Sequence, residues 1–420
     1  MMTQYKERRV VISGIGVVAP NGIGKKSFWH ATKSGISGIK PIRRFPTADL
    51  SIKVAGEVSD FLASDYIDRK LINRTDRMTH FVFAAVQEAL QDANVHLEEE
   101  DPECVGIVMA NTLGGVGYAV EQIKALYVRG PRHMSAYTAI AWLQVANAGQ
   151  TSIRYGIQGY CKTPVNDTAG GLDALCMAYG AIRRGAADII MAGGCEAFLH
   201  PFSLTVLGNM SEYTYCAIGD DVHAYRPFDR RAAGIILAEG AGICILEEYE
   251  HAQRRGAPIY GEIVGYGQTN DANGPTVPSS NGTQYARAMR IAMRQGGITP
   301  ADIGYFNLDG RAIPLSDQGE AEALHMTFGD DTSRLPVSTP RSSQGHSYAA
   351  AGAIDTITAL LALQENVIPP TINCEELDPA YGLNMVRDEA RPLAGSAVLI
   401  GGRGIGGMNV VLAVKRAWPG

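Results

Sequence analysis

The segment Tyr225–Glu248 reads YRPFDRRAAGIILAEGAGICILEE. Its second half, Ile235–Leu246, is the most apolar stretch of the chain, and Glu239 interrupts it with a charge. A helix that crosses a membrane needs about 20 consecutive apolar residues, and no run in this sequence reaches even 18. The sequence therefore predicts no membrane span, and this segment belongs to a folded interior.

Short β-branched runs alternate with helical patterns on both sides of this segment, which is typical of an α/β protein with largely buried sheets. The predicted strands are Arg9–Ile15, Cys104–Met109, Asp188–Ala192, Ile259–Gly265 and Ala397–Ile400, and the predicted helices are Thr79–Ala93, 168–184, Ala286–Gln295 and Ala351–Leu363. For the helix over 168–184 we expect Asp167 as N-cap and Gly185 as the stop. The second half loosely repeats the first without a Pro-, Ser- or charge-rich linker. We therefore expect two halves, 1–255 and 256–420, fused as one pseudo-duplicated unit.

The gross composition narrows the class of protein. At 420 residues the chain is too long for one simple core, and a net charge of −6 does not indicate a binder of nucleic acid or membrane surfaces. The N-terminus, MMTQYKERRVVISGIG, carries charges where a signal peptide is apolar. The seven cysteines form no C-x-x-C pair. We expect a reduced, cytoplasmic protein with no metal site and no cofactor.

Four blocks carry a resemblance that spans essentially the whole chain. Tyr225–Glu248 resembles the RPFD…G…GEGAG…LEE block of β-ketoacyl-acyl-carrier-protein synthases. The other blocks follow in that family's order: Ser338–His346 (STPRSSQGH), Pro369–Asn373 (PPTIN) and Gly404–Asn409 (GIGGMN). The resemblance implies a thiolase fold, with two similar α/β halves in five α-β-α-β-α layers, and a dimer.

The enzymes of this family condense acyl chains with a Cys-His-His set. The resemblance places the nucleophilic cysteine at Thr168, the first histidine, from the H-G-T-x-T-P block, at Asp309 in NLDGRAIP, and the second at His346. A threonine hydroxyl is far less acidic than a thiol, and an anionic aspartate would repel the enolate. We therefore expect no catalytic residues. Ile405 stands where condensing enzymes often carry a gating phenylalanine, in a residual oxyanion-type loop.

The altered blocks resemble the chain length factor, or ketosynthase β subunit, of type II polyketide synthases. The similarity lies in TAGGLDAL from Thr168, SAYTAIAWLQVANAGQ from Ser135, the Asp309-Gly310 pair and the Arg403-Gly404 step. In that family the lost cysteine is usually glutamine, whereas here it is threonine. The resemblance implies a heterodimer with a ketosynthase α subunit, and an acyl carrier protein that bears the growing polyketide. It also implies an interfacial tunnel limited by Val116, Ala119 and Ile123, which are all small or medium in size.

Two alternatives remain open at this level. The chain could be a divergent β-ketoacyl synthase or malonyl-carrier-protein decarboxylase that uses His346 and the backbone amides of Thr168 and Ile405. It could also be a homodimeric scaffold that binds acyl chains without a ketosynthase partner.

Several other residues have structural interpretations. Cys176, Cys195 and Cys216 are expected to be core thiols. Arg341 and Glu320 match a Lys and a Glu of active relatives, and we expect them to form a buried ion pair. Two further segments are a predicted glycine-lined strand junction, Gly402–Gly407, and a basic cluster that faces solvent or an acidic carrier protein: Arg69, Lys70, Arg74 and Arg77.

Overall fold

A computed structural model of the chain describes residues 8–209, 216–274 and 279–417. Its strands are β1 (Val10–Ala19), β2 (Gly22–Ile23), β3 (Ile39–Pro41), β4 (Val54–Gly56), β5 (Val105–Ala110), β6 (Cys161–Lys162), β7 (Ile189–Glu196), β8 (Gly240–Glu248), β9 (Gly261–Asn270), β10 (Ile303–Asn307), β11 (Pro336–Ser338), β12 (Val367–Ile368), β13 (Asn384–Met385), β14 (Arg391–Pro392), β15 (Ala397–Arg403) and β16 (Met408–Lys415). Its helices are α1 (Lys25–Lys33), α2 (Arg69–Ile72), α3 (Arg77–Ala93), α4 (Val116–Arg129), α5 (Thr138–Trp142), α6 (Ala146–Tyr155), α7 (Gly170–Arg183), α8 (Pro201–Asn209), α9 (Tyr249–Arg254), α10 (Thr283–Gly296), α11 (Pro314–Phe328) and α12 (Ala349–Glu365).

The main sheet contains the same arrangement twice. The order is β6-β5-β7-β8-β1 in the first half and β11-β10-β15-β16-β9 in the second. In each half the first two pairings are parallel and the last two antiparallel. Val10–Ile12 of β1 also pairs with β9, so one continuous sheet links the two halves. The topology therefore shows the internal repeat, while the boundary at residue 255 stays a prediction.

Helices cover both faces of each half. Helices α7 and α12 lie in the middle and contact strands of both halves, α3 covers β1 and β8, and α10 covers β9 and β16. All residues of α12 from Ala349 to Leu363 are buried, and so are ten of the fourteen residues of α7, as expected of helices enclosed between layers of the sheet. This order of layers is α-β-α-β-α and confirms the predicted α/β thiolase architecture.

Close backbone contacts bring the starts of the two central helices together. A Cβ on Gly171 would lie 2.4 Å from the carbonyl oxygen of Ala349, and one on Gly194 would lie 2.1 Å from the same atom. Only glycine permits this approach. The residues just before the two helices, Thr168 and His346, therefore lie in the same central region of the molecule.

The predicted helix over 168–184 differs from the structure at its start. A 3₁₀ turn covers Asp167–Ala169, and the α-helix begins at Gly170. Asp167 is not the N-cap, because its carboxylate accepts a hydrogen bond from the backbone of Ile405 instead. Gly185 is confirmed as the stop and has a positive φ of 76°.

Other structural predictions are confirmed. Cys176, Cys195 and Cys216 are buried thiols. The glycine-rich loop between Arg403 and Met408 joins β15 to β16 rather than a strand to a helix. None of the helices among the described residues is both long and apolar enough to cross a bilayer.

Candidate functional site

Thr168, the predicted position of the lost nucleophile, lies in the 3₁₀ turn just before α7. It is 2% exposed. Its hydroxyl donates to the carbonyl oxygen of Arg403 at 2.6 Å and accepts from Nη2 of Arg311. A hydroxyl held in this way has its proton and one lone pair engaged, so it is not poised to attack a thioester.

Arg311 is the main residue that the sequence analysis missed. It is buried, and its guanidinium bridges three groups of the site. Nε donates to Oδ2 of Asp309 at 3.0 Å, and Nη2 also donates to the carbonyl oxygen of Arg403. A guanidinium is always protonated and offers no acceptor, so it cannot act as a general base. One signal was available, since Arg311 replaces the threonine of the H-G-T-x-T-P block.

Asp309 lies between two arginines. Oδ1 accepts from Nη1 of Arg341 at 2.9 Å, and Oδ2 accepts from Arg311. Burial alone would raise the pKa of this carboxyl, but the charges of Arg311 and Arg341 lower it below its usual value. The carboxylate is therefore ionised and cannot donate a hydrogen bond to a developing oxyanion.

His346 is buried and faces donors on both sides. Nη1 of Arg341 lies 3.0 Å from Nε2, and the backbone N–H of Tyr348 lies 3.2 Å from Nδ1. Burial, together with the charges of Arg341 and Arg311, lowers the pKa of the imidazole well below its usual value. The ring is neutral near pH 7 and can therefore accept a hydrogen bond at only one of these two nitrogens. In either tautomer, Arg341 lies against Nε2 and restricts access to it.

The predicted ion pair between Arg341 and Glu320 is wrong. Arg341 binds Asp309 and also Asp355, to which Nε donates at 3.1 Å. Glu320 instead accepts the backbone N–H groups of Asp309 and Gly310, both at 2.9 Å. Burial raises the pKa of Glu320 to about 7. Glu320 therefore holds the 309–310 turn in place and does not balance the arginine.

The turn itself depends on glycine. Gly310 has a φ of 47°, and a Cβ there would lie 2.3 Å from Oγ1 of Thr339. Asp317 clamps the next residue by accepting from the backbone N–H of Arg311 at 3.1 Å. These contacts fix the direction in which the Arg311 side chain enters the site.

In the predicted oxyanion-type loop, the backbone donor of Ile405 is already engaged. The backbone N–H of Ile405 donates to Oδ2 of Asp167 at 2.8 Å. Asp167 itself has a φ of 46°, an uncommon conformation for a residue other than glycine. Asp167 was expected to cap a helix, and its contact with Ile405 spans 238 positions of sequence.

The three predicted tunnel residues lie on α4. Val116 is half-buried, Ala119 is 4% exposed and Ile123 is 46% exposed. The helix follows Thr112, whose hydroxyl donates to the carbonyl oxygen of Asp167. The structure therefore connects the beginning of α4 to the degenerate site and brings the side chain of Ile123 to the surface. Their role in a tunnel stays a prediction.

The basic cluster divides into two parts. Arg69 and Lys70 are exposed on α2. Arg77 does not belong with them, because its guanidinium binds the buried carboxylate of Glu239 at 2.9 Å and lies 4.6 Å from the ring of Phe81. Across the described ranges, no group of three or more His, Cys, Asp or Glu side chains is arranged to hold a metal ion.

Comparisons with known proteins place this geometry in a family. The β-ketoacyl synthase N-terminal domain matches residues 7–252, and the C-terminal domain of the same family matches residues 260–375. The tetracenomycin polyketide synthase ketoacyl synthase beta subunit of Streptomyces glaucescens is 37% identical over 97% of this chain and 98% of its own length. The 3-oxoacyl-acyl-carrier-protein synthase 2 of Synechocystis is 34% identical over 99% of this chain and 100% of its own length.

A solved structure agrees with these sequence matches. The ishigamide ketosynthase/chain length factor superimposes with a TM-score of 0.91 at 28% identity, and the match covers 98% of this chain and 100% of that chain. The similarity extends over both halves and over the degenerate site. This chain belongs to the β-ketoacyl synthase family.

Proposed function

We propose that this protein is a non-catalytic chain length factor, the β subunit of a type II polyketide ketosynthase. It forms a heterodimer with a ketosynthase α subunit and shapes the tunnel that receives the growing chain. The tetracenomycin β subunit and the ishigamide ketosynthase/chain length factor are similar to it over nearly their whole length.

The observation that carries the proposal is the guanidinium of Arg311 inside the degenerate site. It binds Asp309 and the hydroxyl of Thr168, two of the positions where catalytic groups would stand. The backbone N–H of Ile405, which an oxyanion would need as a donor, already donates to Asp167. A divergent synthase or decarboxylase would have to break these buried contacts before binding a thioester, which is costly because charged groups would lose hydrogen bonds in the interior.

An apolar surface supports the heterodimer. Nine of the seventeen large apolar side chains that are exposed among the described residues lie between positions 123 and 153. We name them the partner face: Ile123, Tyr127, Val128, Met134, Ile140, Trp142, Leu143, Val145 and Ile153. The three helices that carry most of them, α4, α5 and α6, are in contact. Large apolar side chains exposed on neighbouring helices, aromatic residues among them, are typical of a protein–protein interface.

Acylation decides whether the chain is catalytic. The chain is co-expressed with a ketosynthase α subunit, supplied with malonyl-loaded acyl carrier protein, and both subunits are measured by intact-protein mass spectrometry. We expect acyl adducts on the α subunit alone and no condensation or decarboxylation by this chain alone. An adduct on this chain, or malonyl decarboxylation without the α subunit, would contradict the proposal. A stable homodimer that does not bind the α subunit would favour the scaffold instead.

The tunnel positions give a second test. In the reconstituted heterodimer, Ala119→Phe adds an aromatic ring to α4 at a buried position, and we expect shorter polyketides by mass spectrometry. Ala125→Phe is the matched control, since Ala125 is the other buried alanine of this helix and lies six residues closer to its C-terminal end. Unchanged product length in Ala119→Phe would exclude this position from the tunnel wall.

A further inference from the structure

A cavity of about 490 Å³ opens beside α4 and is not used by the proposed function. Its apolar lining includes Phe45, Tyr118, Leu199 and Pro201. Its polar groups are Arg44 and Arg77, which we call the polar end, together with Thr75, Asp76, Glu121 and His200. Sites for small molecules are mostly apolar cavities of about 300–1,000 Å³ with a few polar groups that fix orientation. The volume of this cavity lies within that range.

The cavity lies behind α4 when viewed from the predicted tunnel wall. Successive residues of an α-helix are separated by about 100°. Gly117, Tyr118 and Glu121, which line the cavity, are therefore centred on the side of the helix opposite to Val116 and Ile123. The cavity is thus separate from the tunnel positions.

The charges at the polar end are already balanced. Glu239 is fully buried and binds Nη1 of Arg44 at 3.1 Å and Nη2 of Arg77 at 2.9 Å. A second buried carboxylate, that of Glu57, lies 3.7 Å from Nε of Arg44. Two guanidiniums therefore face two carboxylates. The other ionisable groups of the lining are also engaged, since Nε2 of His200 lies 3.7 Å from Oε1 of Glu121 and Asp76 accepts from the backbone N–H groups of Met78 and Tyr118. An anionic ligand would therefore add an unbalanced charge. A neutral carbonyl oxygen can accept a hydrogen bond there without that cost.

We propose that this cavity is an acyl-binding site that takes a neutral, medium-length acyl chain. The carbonyl end lies toward Arg44 and Arg77, and the tail lies against Phe45 and Leu199. The site is built from one chain and needs no partner subunit, so the inference does not depend on the proposed heterodimer.

Gly117 allows the cavity to be filled by one substitution. A Cβ at this position meets only Oδ2 of Asp76, at 3.5 Å, which is an ordinary van der Waals distance. Gly117→Leu therefore places a side chain in the cavity without a clash with the backbone. Gly180→Leu in α7 is the matched control, because a Cβ there meets only the end of Arg184, at 3.6 Å.

The test is photolabelling of the full chain, alone and with a ketosynthase α subunit. The probe is an octanoyl N-acetylcysteamine thioester with a diazirine at the end of its tail, and fragment mass spectrometry assigns the labelled residues. We expect label on Tyr118 or on residues 197–201. We expect at least a tenfold loss in Gly117→Leu and no change in Gly180→Leu. Gly117→Ala, with a smaller loss, serves if the leucine variant is unstable.

Three results would overturn the inference. Label confined to Val116, Ala119 and Ile123 would place the acyl chain in the predicted tunnel and not in this cavity. Equal labelling by the corresponding octanoate probe would contradict the neutral ligand. Loss of labelling when the α subunit is added would show that the partner, and not an acyl chain, covers the cavity.

Discussion

The surroundings of Thr168 and the partner face differ in the burial and the chemical character of their side chains. Around Thr168 the charged groups are buried and bound to one another, as in the series Arg311–Asp309–Arg341–Asp355. On the partner face, large apolar groups such as Trp142, which is 51% exposed, remain in contact with water. The charged groups of this interior are paired within the chain, whereas the apolar surface needs another molecule to bury it. The difference supports the proposal that this chain acts through its surface.

The largest effect is expected from breaking the buried series. Arg341→Ala leaves the carboxylates of Asp309 and Asp355 without this partner, and we expect a loss of about 3–5 kcal/mol in the free energy of unfolding. The measurement is urea unfolding followed by circular dichroism. The control is Arg334→Ala, because Arg334 is 85% exposed and should change stability by about 0.5 kcal/mol or less. Equal effects of the two variants would show that the series does not stabilise the fold.

A substitution on the partner face should instead leave the stability of the fold unchanged and weaken binding to the ketosynthase α subunit. Trp142→Asp puts a charge at the centre of the proposed interface, and we expect the Kd for a ketosynthase α subunit to rise at least 30-fold, about 2 kcal/mol. Biolayer interferometry measures the affinity. Ile36→Asp is the control, because Ile36 is 49% exposed but lies outside the partner face. An unchanged Kd in Trp142→Asp would mean that the partner binds elsewhere.

The buried carboxyl group of Asp317 should also make the free energy of unfolding depend on pH. Burial, with the nearby charges of Glu320 and Asp309, raises the pKa of Asp317 from its usual range to about 8. The folded state therefore holds a proton that the unfolded state releases above about pH 4. The stability contributed by Asp317 is complete below that pH and is lost as pH rises to about 8, with a slope of about 1.4 kcal/mol per pH unit.

Asp317→Asn replaces the titrating carboxyl group with an amide. We expect the free energy of unfolding to depend less steeply on pH between pH 5 and 8. The substitution also weakens one backbone contact, so the slope and not the absolute stability is the readout. Asp330→Asn, at an exposed position, is expected to leave the slope unchanged. A slope that is the same in both variants would contradict the raised pKa.

The fold was largely predictable from local pattern, whereas the interior of the site was not. The helices around Val86 and Ile357 and the strand at Ile190 follow from periodicity and composition, and the structure moves their ends by a few residues. Asp167 was misread because its carboxylate binds an N–H group 238 positions away. A local rule for helix caps cannot detect such a contact.

The same limit applies to the arginines. The positions of Thr168, Asp309 and His346 could be read from the family's blocks. Arg311 contacts Thr168 across 143 positions, and Arg341 binds Asp355 rather than Glu320. Which carboxylate an arginine selects depends on geometry formed only after the central helices come together, so sequence spacing does not determine it.

The smallest effect on stability and on product yield is expected at Thr168, the predicted position of the nucleophile in active enzymes of the family. Thr168→Val keeps the shape of the side chain and removes its hydroxyl. The carbonyl oxygen of Arg403 still accepts from Arg311, so we expect about 1 kcal/mol of lost stability. Polyketide yield from the reconstituted heterodimer, measured by liquid chromatography, should change less than about twofold. The matched control is substitution of the nucleophilic cysteine in the α subunit, which should abolish product. A tenfold fall in yield with Thr168→Val at unchanged assembly would contradict the proposed silent site, because it would mean that this hydroxyl takes part in turnover.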